Sequence, residues 1–390
     1  MPKSVVIIVN ELLRGGAQRI ILDIAARLDK SKFSLHVVFL KSERIFPPET
    51  KTVLDEILQT GARVTSIGGE QRFTRNEFKR LVAFLRREKP AIVHTYLPYA
   101  GTVGRVAARI AGIRHTISTQ CNLPVAYTKR VYWLDRLTLP LAQAWTGATE
   151  GIEQHYGGSS APFTREEWDK GRRHFTIVAG VDVAKIAAVH ADTNRTKKRE
   201  ELGIPTDVPL VLMTARLISW KGHDELIAAM AQVPRAHLML AGWGPLESQL
   251  REQAKTLGIA DRIHFLGART DVYELLAASD VYVQTFSRDA KGNQWIGPNT
   301  SVIEAAAAGV PIVATRVPLI ESLIEHEKTG LLANENDPAD LAAQISRMVE
   351  SSQDATRMSA AARIRATERY SLDRMMEQTE GLYTALLSLN

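Results

Sequence analysis

Two cations stand five residues apart in MTARLISWKGHDELI: Arg216 and Lys221, just past an apolar run and just before an amphipathic one. A fork-shaped guanidinium and a mobile ammonium converging from one loop suit a diphosphate, although two unrelated surface charges would read the same way. Further on, PNTSVIEAAAAGVPIVAT opens with three N-cap candidates, Asn299, Thr300 and Ser301. Free amide N–H groups at such a helix start favour an anionic phosphate. Glu304 falls near the end of the first turn, where a carboxylate can accept hydrogen bonds from a ribose diol; its apolar flanks argue against a merely solvated acid. LAGWGPLESQL puts Gly242 and Gly244 at another strand end, with Pro245 set to begin a helix. Glycines there let the backbone approach a base or phosphate, or simply turn the chain. Gly15 and Gly16 in NELLRGGAQR leave the same two readings open. Their spacing is not G-x-G-x-x-G, so a nicotinamide fingerprint is not supported.

Those residues need elements to hold them. In the first half, VVIIV (5–9), FSLHVVFL (33–40), ARVTSI (62–67), AIVHT (91–95), HTIST (115–119) and HFTIV (174–178) read as strands with helical patterns between them. The runs do not alternate with polar residues, as expected of strands buried on both faces of a doubly wound parallel sheet. The polar stretch 191–207 reads as a linker with a short helix, after which the rhythm restarts in VPLVLMTA, AHLMLAG, RIHFLG, DVYVQTF and VPIVAT. The expected organisation is an α/β chain of two Rossmann-like domains, 1–190 and 208–370, facing across a cleft. A C-terminal helix, 371–390, is expected to pack back on the first.

At 390 residues the chain exceeds what one core usually supports. A single cysteine, Cys121, rules out an internal disulfide framework and points to a reducing compartment, hence the cytoplasm. No apolar run approaches the roughly 20 residues that span a bilayer, and the opening MPKSVVIIVN is too short in its apolar part for a signal peptide. Residues 1–190 hold 28 Lys and Arg against 17 Asp and Glu; residues 191–390 hold 21 against 26. The first half therefore faces something anionic or carries a solvated basic face. Nucleic acid is disfavoured, since no cationic cluster interleaves with aromatics and no nucleic-acid module is recognisable.

The ordered set GGAQR, TARLISWKG, AGWGPLESQL, IHFLGARTDVYELLAASDVYV and SVIEAAAAGVPIVAT resembles the retaining, GT-B-fold glycosyltransferases of the family four (group 1) type. The resemblance covers nearly the whole chain and is most specific over 209–335. It implies GT-B architecture and hexosyl transfer from a nucleotide sugar, UDP- or GDP-linked, to an acceptor in glycan or glycolipid assembly, without metal or cofactor. Arg216 and Lys221 match the basic pair on the donor diphosphate, Glu304 the ribose-binding second glutamate of a paired-acid motif, and Gly15 and Gly16 the N-domain glycine loop. The donor then binds mainly in the C-domain and the acceptor mainly in the N-domain.

Two departures qualify that match. The first acid of the paired motif belongs eight residues before Glu304, at Ile296, and neither Trp295 nor Gly297 is acidic; Asp289 and Asn293 are the candidate substitutes. Relatives often carry a histidine after the strand HTIST, and the matching position is Gln120, followed by Cys121 and Asn122. Glutamine cannot titrate, but its amide can bind a sugar hydroxyl. Cys121 is expected to be a small buried residue, and His94 and His115 structural. The competing readings are a catalytically silent nucleotide-sugar binder or scaffold, and, ranked last, a sugar-nucleotide epimerase. Finally, FTRNEFKRLVAFLRREKP (73–90) and YTKRVYWLDRL (127–137) combine basic with apolar or aromatic residues. Both fit peripheral contact with an anionic membrane carrying a lipid-linked acceptor, or ordinary surface helices.

Overall fold

The computed structural model describes residues 1–12, 15–41, 48–68, 73–123, 127–287 and 299–389. The chain divides into two compact units, one built from Met1–Gly180 and the stretch from Leu372 on, the other from Val181 to Ser371.

In the first unit the apolar runs become β1 (Lys3–Val9), β2 (Phe33–Phe39), β3 (Arg63–Ser66), β4 (Ile92–Tyr96), β5 (Thr116–Gln120), β6 (Ala144–Gly147) and β7 (His174–Thr176). They pair in parallel in the order β3-β2-β1-β4-β5-β6-β7, with β1 between β2 and β4 and in register Lys3↔Phe33 to Val9↔Phe39 with β2. Val5, Ile7 and Val9 face one layer of helices while Val6 and Ile8 face the other, so β1 has no polar side. β6 escapes periodicity reading because AWTG carries little apolar signal; it is a strand because β5 and β7 hydrogen-bond to both its edges. The last helix, Leu372–Leu387, buries Met375, Leu382, Tyr383 and Leu386 in the core of this unit. There the Tyr383 hydroxyl lies 2.8 Å from Nδ1 of His94, whose Nε2 lies 2.7 Å from Thr119 Oγ1. Burial pushes the His94 imidazole down to about 3, so it is neutral and structural. Cys121 is likewise buried, its thiol pushed up to about 12.

The second unit carries β8 (Leu210–Thr214), β9 (His237–Ala241), β10 (Ile263–Gly267), β11 (Val281–Gln284), β12 (Ile312–Thr315) and β13 (Leu331–Ala333). All are parallel, in the order β10-β9-β8-β11-β12-β13. This unit begins at Val181, ahead of the expected boundary at 190. The stretch read as a linker is the helix Arg195–Glu201 with its flanks, docked on the same unit. Its charges are anchors: Lys198 reaches Asp271 at 2.7 Å and Glu274 at 2.6 Å, and buried Arg199 pairs with Asp280 at 2.7 Å. A charged composition reads as solvated linker until its partners, some 70 residues on in sequence, are known. No helix among the described residues is long and apolar enough to cross a membrane.

Candidate functional site

Both sheets are parallel, so each has one edge where strand carboxyl ends and helix amino ends meet, the usual ligand edge of such folds. In the second unit β8 and β11 are neighbours, and their carboxyl ends bring Arg216, Lys221, Asn299, Thr300, Ser301 and Glu304 into one region. The loop after β8 is fixed by Thr285, whose hydroxyl donates toward the carbonyls of Lys221 (2.8 Å) and Gly222 (2.9 Å). Gly222 sits at φ +63°, a left-handed conformation that suits glycine and starts the helix His223–Met230. The Lys221 ammonium lies 4.6 Å from the centre of the Phe286 ring. Burial, and then the nearby Arg216 guanidinium, push it down to about 8. Arg216 is exposed, and among the described residues neither cation has a carboxylate partner. Two cations brought together without an acid between them leave a place for an external anion.

Facing them is the helix Thr300–Ala308. Ser301 Oγ donates to Gln284 Oε1 at 3.3 Å, and that oxygen also accepts from the Tyr282 hydroxyl at 3.2 Å, which lies 3.1 Å from Thr214 Oγ1. This chain of polar groups ties the helix start to β8 and β11. Glu304, half-buried one turn in, is close enough for its charge to help burial push the Tyr282 phenol up to about 12. Asn299 is 5% exposed, yet its amide nitrogen has no hydrogen-bond partner among the described residues. A buried donor left so costs about 1–3 kcal/mol, and it stands where the helix dipole is most positive.

Gly242 and Gly244 serve a neighbour inside the protein. A Cβ on Gly242 would lie 1.8 Å from the Ala215 carbonyl oxygen, and one on Gly244 2.3 Å from that of Leu217. The β9 loop lies directly against the Arg216 loop, with Leu217 N donating to Trp243 O at 3.0 Å. These glycines therefore set the height of the backbone that carries Arg216. Sequence reading passed over Thr285, Phe286 and His223. Buried His223 is neutral, pushed down to about 4 by burial and by Lys221, and its Nδ1 has no partner among the described residues. Its one sequence signal is its place immediately after Lys221-Gly222.

In the first unit Gly15 caps the helix Gly16–Arg27 at φ −171°, an extended conformation open to any residue, so its glycine is not dictated by strain. Asn122 donates to the Tyr127 hydroxyl at 2.8 Å. Gln120 is 1% exposed and donates an amide N–H to Asp135 at 3.0 Å, inside a buried network with Arg105, while its Oε1 has no hydrogen-bond partner among the described residues. Asp289, Asn293 and Ile296 lie outside the described residues. A cavity of about 530 Å³ occurs at the opposite edge of the second sheet, beside Pro209, Asp280 and Pro311, which precede β8, β11 and β12. Two of its arginines, Arg195 and Arg199, are already paired with Asp280, so it does not compete with the cationic site.

Parallel sheets in two units, with a pair of cations at the carboxyl edge of the second, are the GT-B architecture of glycosyltransferases. Residues 15–167 match the glycosyl transferase 4-like domain and residues 194–365 the glycosyl transferases group 1 domain, and the chain belongs to this family. It is 31% identical over 160 residues to the lipopolysaccharide core biosynthesis glycosyltransferase LpsE of Rhizobium meliloti, a match covering 41% of this chain and 45% of that one. With LpsD of the same organism the match covers 42% of the relative, so the chain spans less than half the length of these two relatives. Over 83% of its length it is 25% identical to the Escherichia coli UDP-Gal:alpha-D-GlcNAc-diphosphoundecaprenol alpha-1,3-galactosyltransferase, covering 82% of that protein. In fold it is similar to Anabaena HepE, solved in complex with UDP and glucose: TM-score 0.79 at 20% identity, covering 98% of this chain and all of that one.

Proposed function

We propose that the chain transfers a hexose from a nucleoside-diphosphate sugar to an acceptor hydroxyl with retention of anomeric configuration, in glycan or glycolipid assembly. The observation that carries this reading is the pair Arg216 and Lys221, without acidic partners among the described residues, beside the amino end of the helix Thr300–Ala308. The bond between anomeric carbon and diphosphate oxygen breaks as the acceptor oxygen bonds to that carbon, and the leaving diphosphate takes the acceptor proton. The protein's part is to stabilise charge growing on the diphosphate and to hold the acceptor oxygen on the same face of the sugar as the leaving diphosphate, which is what retention requires. Arg216 and Lys221 supply that charge, Asn299 offers its spare N–H, and Glu304 receives the ribose diol. The two cations take the neutralising role that a metal ion has elsewhere, so activity is expected to survive excess chelator. UDP is the first donor base to test, since HepE was solved with UDP and the Escherichia coli relative is named for UDP-Gal. A lipid-linked acceptor is the first acceptor class to test, since that relative is named for a diphosphoundecaprenol substrate; such an acceptor would call for a peripheral position on the cytoplasmic face of a membrane.

The test is incubation with a panel of nucleotide sugars and acceptors, following nucleotide release and product configuration. Donor-dependent release that falls by about 10²–10³ in Arg216→Ala supports the reading. Nucleotide binding with no release under any acceptor favours a silent binder. No nucleotide binding at all overturns both.

A further inference from the structure

The helix Lys129–Thr138 is built inside out. Its one fully buried residue is Asp135, which accepts from Arg105 Nη2 at 2.6 Å and from Gln120 at 3.0 Å, with both ion-pair side chains at most 1% exposed. Arg136 adds a bond to the Tyr156 carbonyl at 2.9 Å. The helix is thus held to the fold by an ion pair and hydrogen bonds, with Tyr132 as its half-buried apolar contact to the core, whereas a surface helix usually docks by a full apolar stripe. Its other large apolar residues face out: Trp133 is 61% exposed, Leu134 43% and Leu137 75%, and Leu141, in the short turn of helix just beyond, 39%. The spacing i, i+1, i+4 gathers the first three on one side. An apolar side of this kind marks a surface that something covers.

The charge around it says what. This helix packs beside Pro98–Ala111, which packs beside Arg75–Glu88. Across residues 73–141 ten of twelve Lys and Arg are exposed, among them Lys79, Arg86, Lys129 and Arg130. None of the three acids there is exposed: Glu77 closes the capping box of its helix, Glu88 pairs with Arg63 at 3.0 Å, and Asp135 is sealed by Arg105. The helix Arg75–Glu88 contributes charge only, because Leu81, Val82, Phe84 and Leu85 are buried against the sheet. A second copy of this chain would bring like charges together on this surface. An anionic leaflet meets both features, taking Trp and Leu at the headgroup boundary and attracting the surrounding cations.

We propose that the outward side of Lys129–Thr138, continued by Leu141, inserts into the interface of an anionic membrane. The proposal rests on the peripheral-membrane part of the functional reading and names its surface. The experiment is sedimentation of the full chain with phosphatidylcholine vesicles, with and without phosphatidylglycerol, at physiological salt, alongside UDP titration and light scattering of the same samples. Wild type is expected to pellet with the anionic vesicles. Trp133→Ser/Leu137→Ser is expected to lose at least about tenfold in partitioning, and Arg86→Gln about fivefold. Both variants keep wild-type UDP binding, which reports an intact fold. Failure of wild type to pellet overturns the proposal, as does a double variant that pellets like wild type. Lipid-free self-association that disappears in the double variant also overturns it, in favour of a second copy. Vesicle binding by a wild type that takes no nucleotide would fault the enzymatic reading and leave this surface standing.

Discussion

At the scale of single residues the site is set by proton and charge placement. Lys221, held down to about 8, is protonated below that pH and neutral above it, and a diphosphate binds the protonated form. UDP affinity is therefore expected to be full at neutral pH and to fall as pH rises through 8, by up to about tenfold per pH unit. Calorimetric titration of wild type against Lys221→Arg, which keeps its charge, checks this; a profile as steep in the variant would assign the titration elsewhere. Gly242→Ala is expected to cost about 1–3 kcal/mol by forcing a methyl onto the Ala215 carbonyl. It should also weaken UDP binding by displacing the Arg216 loop, read by thermal melts and titration together. That Arg216, Lys221 and the helix start at Asn299 to Ser301 stand at element boundaries of one sheet edge was legible in sequence, because cations and capping residues next to apolar runs mark such boundaries. Thr285 and His223 were not, since an ordinary threonine and histidine become informative only when the carbonyls and cation beside them are known.

Among elements, most parallel strands were readable because burial on both faces leaves uninterrupted apolar runs; β6 was missed because its burial comes from its neighbours rather than from its own composition, and β13 because it is only three residues long. The helix Lys129–Thr138 shows the same limit more sharply. Its sequence advertises aromatic and basic residues, but the inward role of Asp135 depends on Arg105 and Gln120, which come from a separate helix and strand. Asp135→Ala leaves a buried guanidinium unpaired and is expected to cost about 3–5 kcal/mol, measurable by denaturant unfolding, whereas exposed Arg130→Ala should be near neutral. Buried histidines add a pH signature. His94 is held down to about 3, and His36 and His223 to about 4, each below the ordinary value of 6.5. The unfolded chain thus takes up protons first, and stability is full above about 6.5 and lost as pH falls through that value. A melting temperature that stays level from neutral to mildly acidic pH would contradict this.

On the scale of the whole molecule, two similar units were readable from the restart of the strand rhythm, but their border was not. The helix Arg195–Glu201 looks like linker in composition and belongs to the second unit through pairings such as Arg199 with Asp280, and the helix Val183–Asp192, expected almost wholly in the first unit, falls in the second as well. The return of the last helix to the first unit is held partly by Tyr383. Tyr383→Phe removes its hydroxyl from His94 and is expected to cost about 1 kcal/mol, read as a lower midpoint of unfolding. That return orders events during synthesis. The second unit lies entirely upstream of Leu372 and has all its residues before the first unit does. The first unit, although begun at Met1, has a gap in its core until Met375, Leu382, Tyr383 and Leu386 leave the ribosome. The segment made first is thus completed last. A premature stop codon in the final helix would spare the second unit while leaving the first open to proteases.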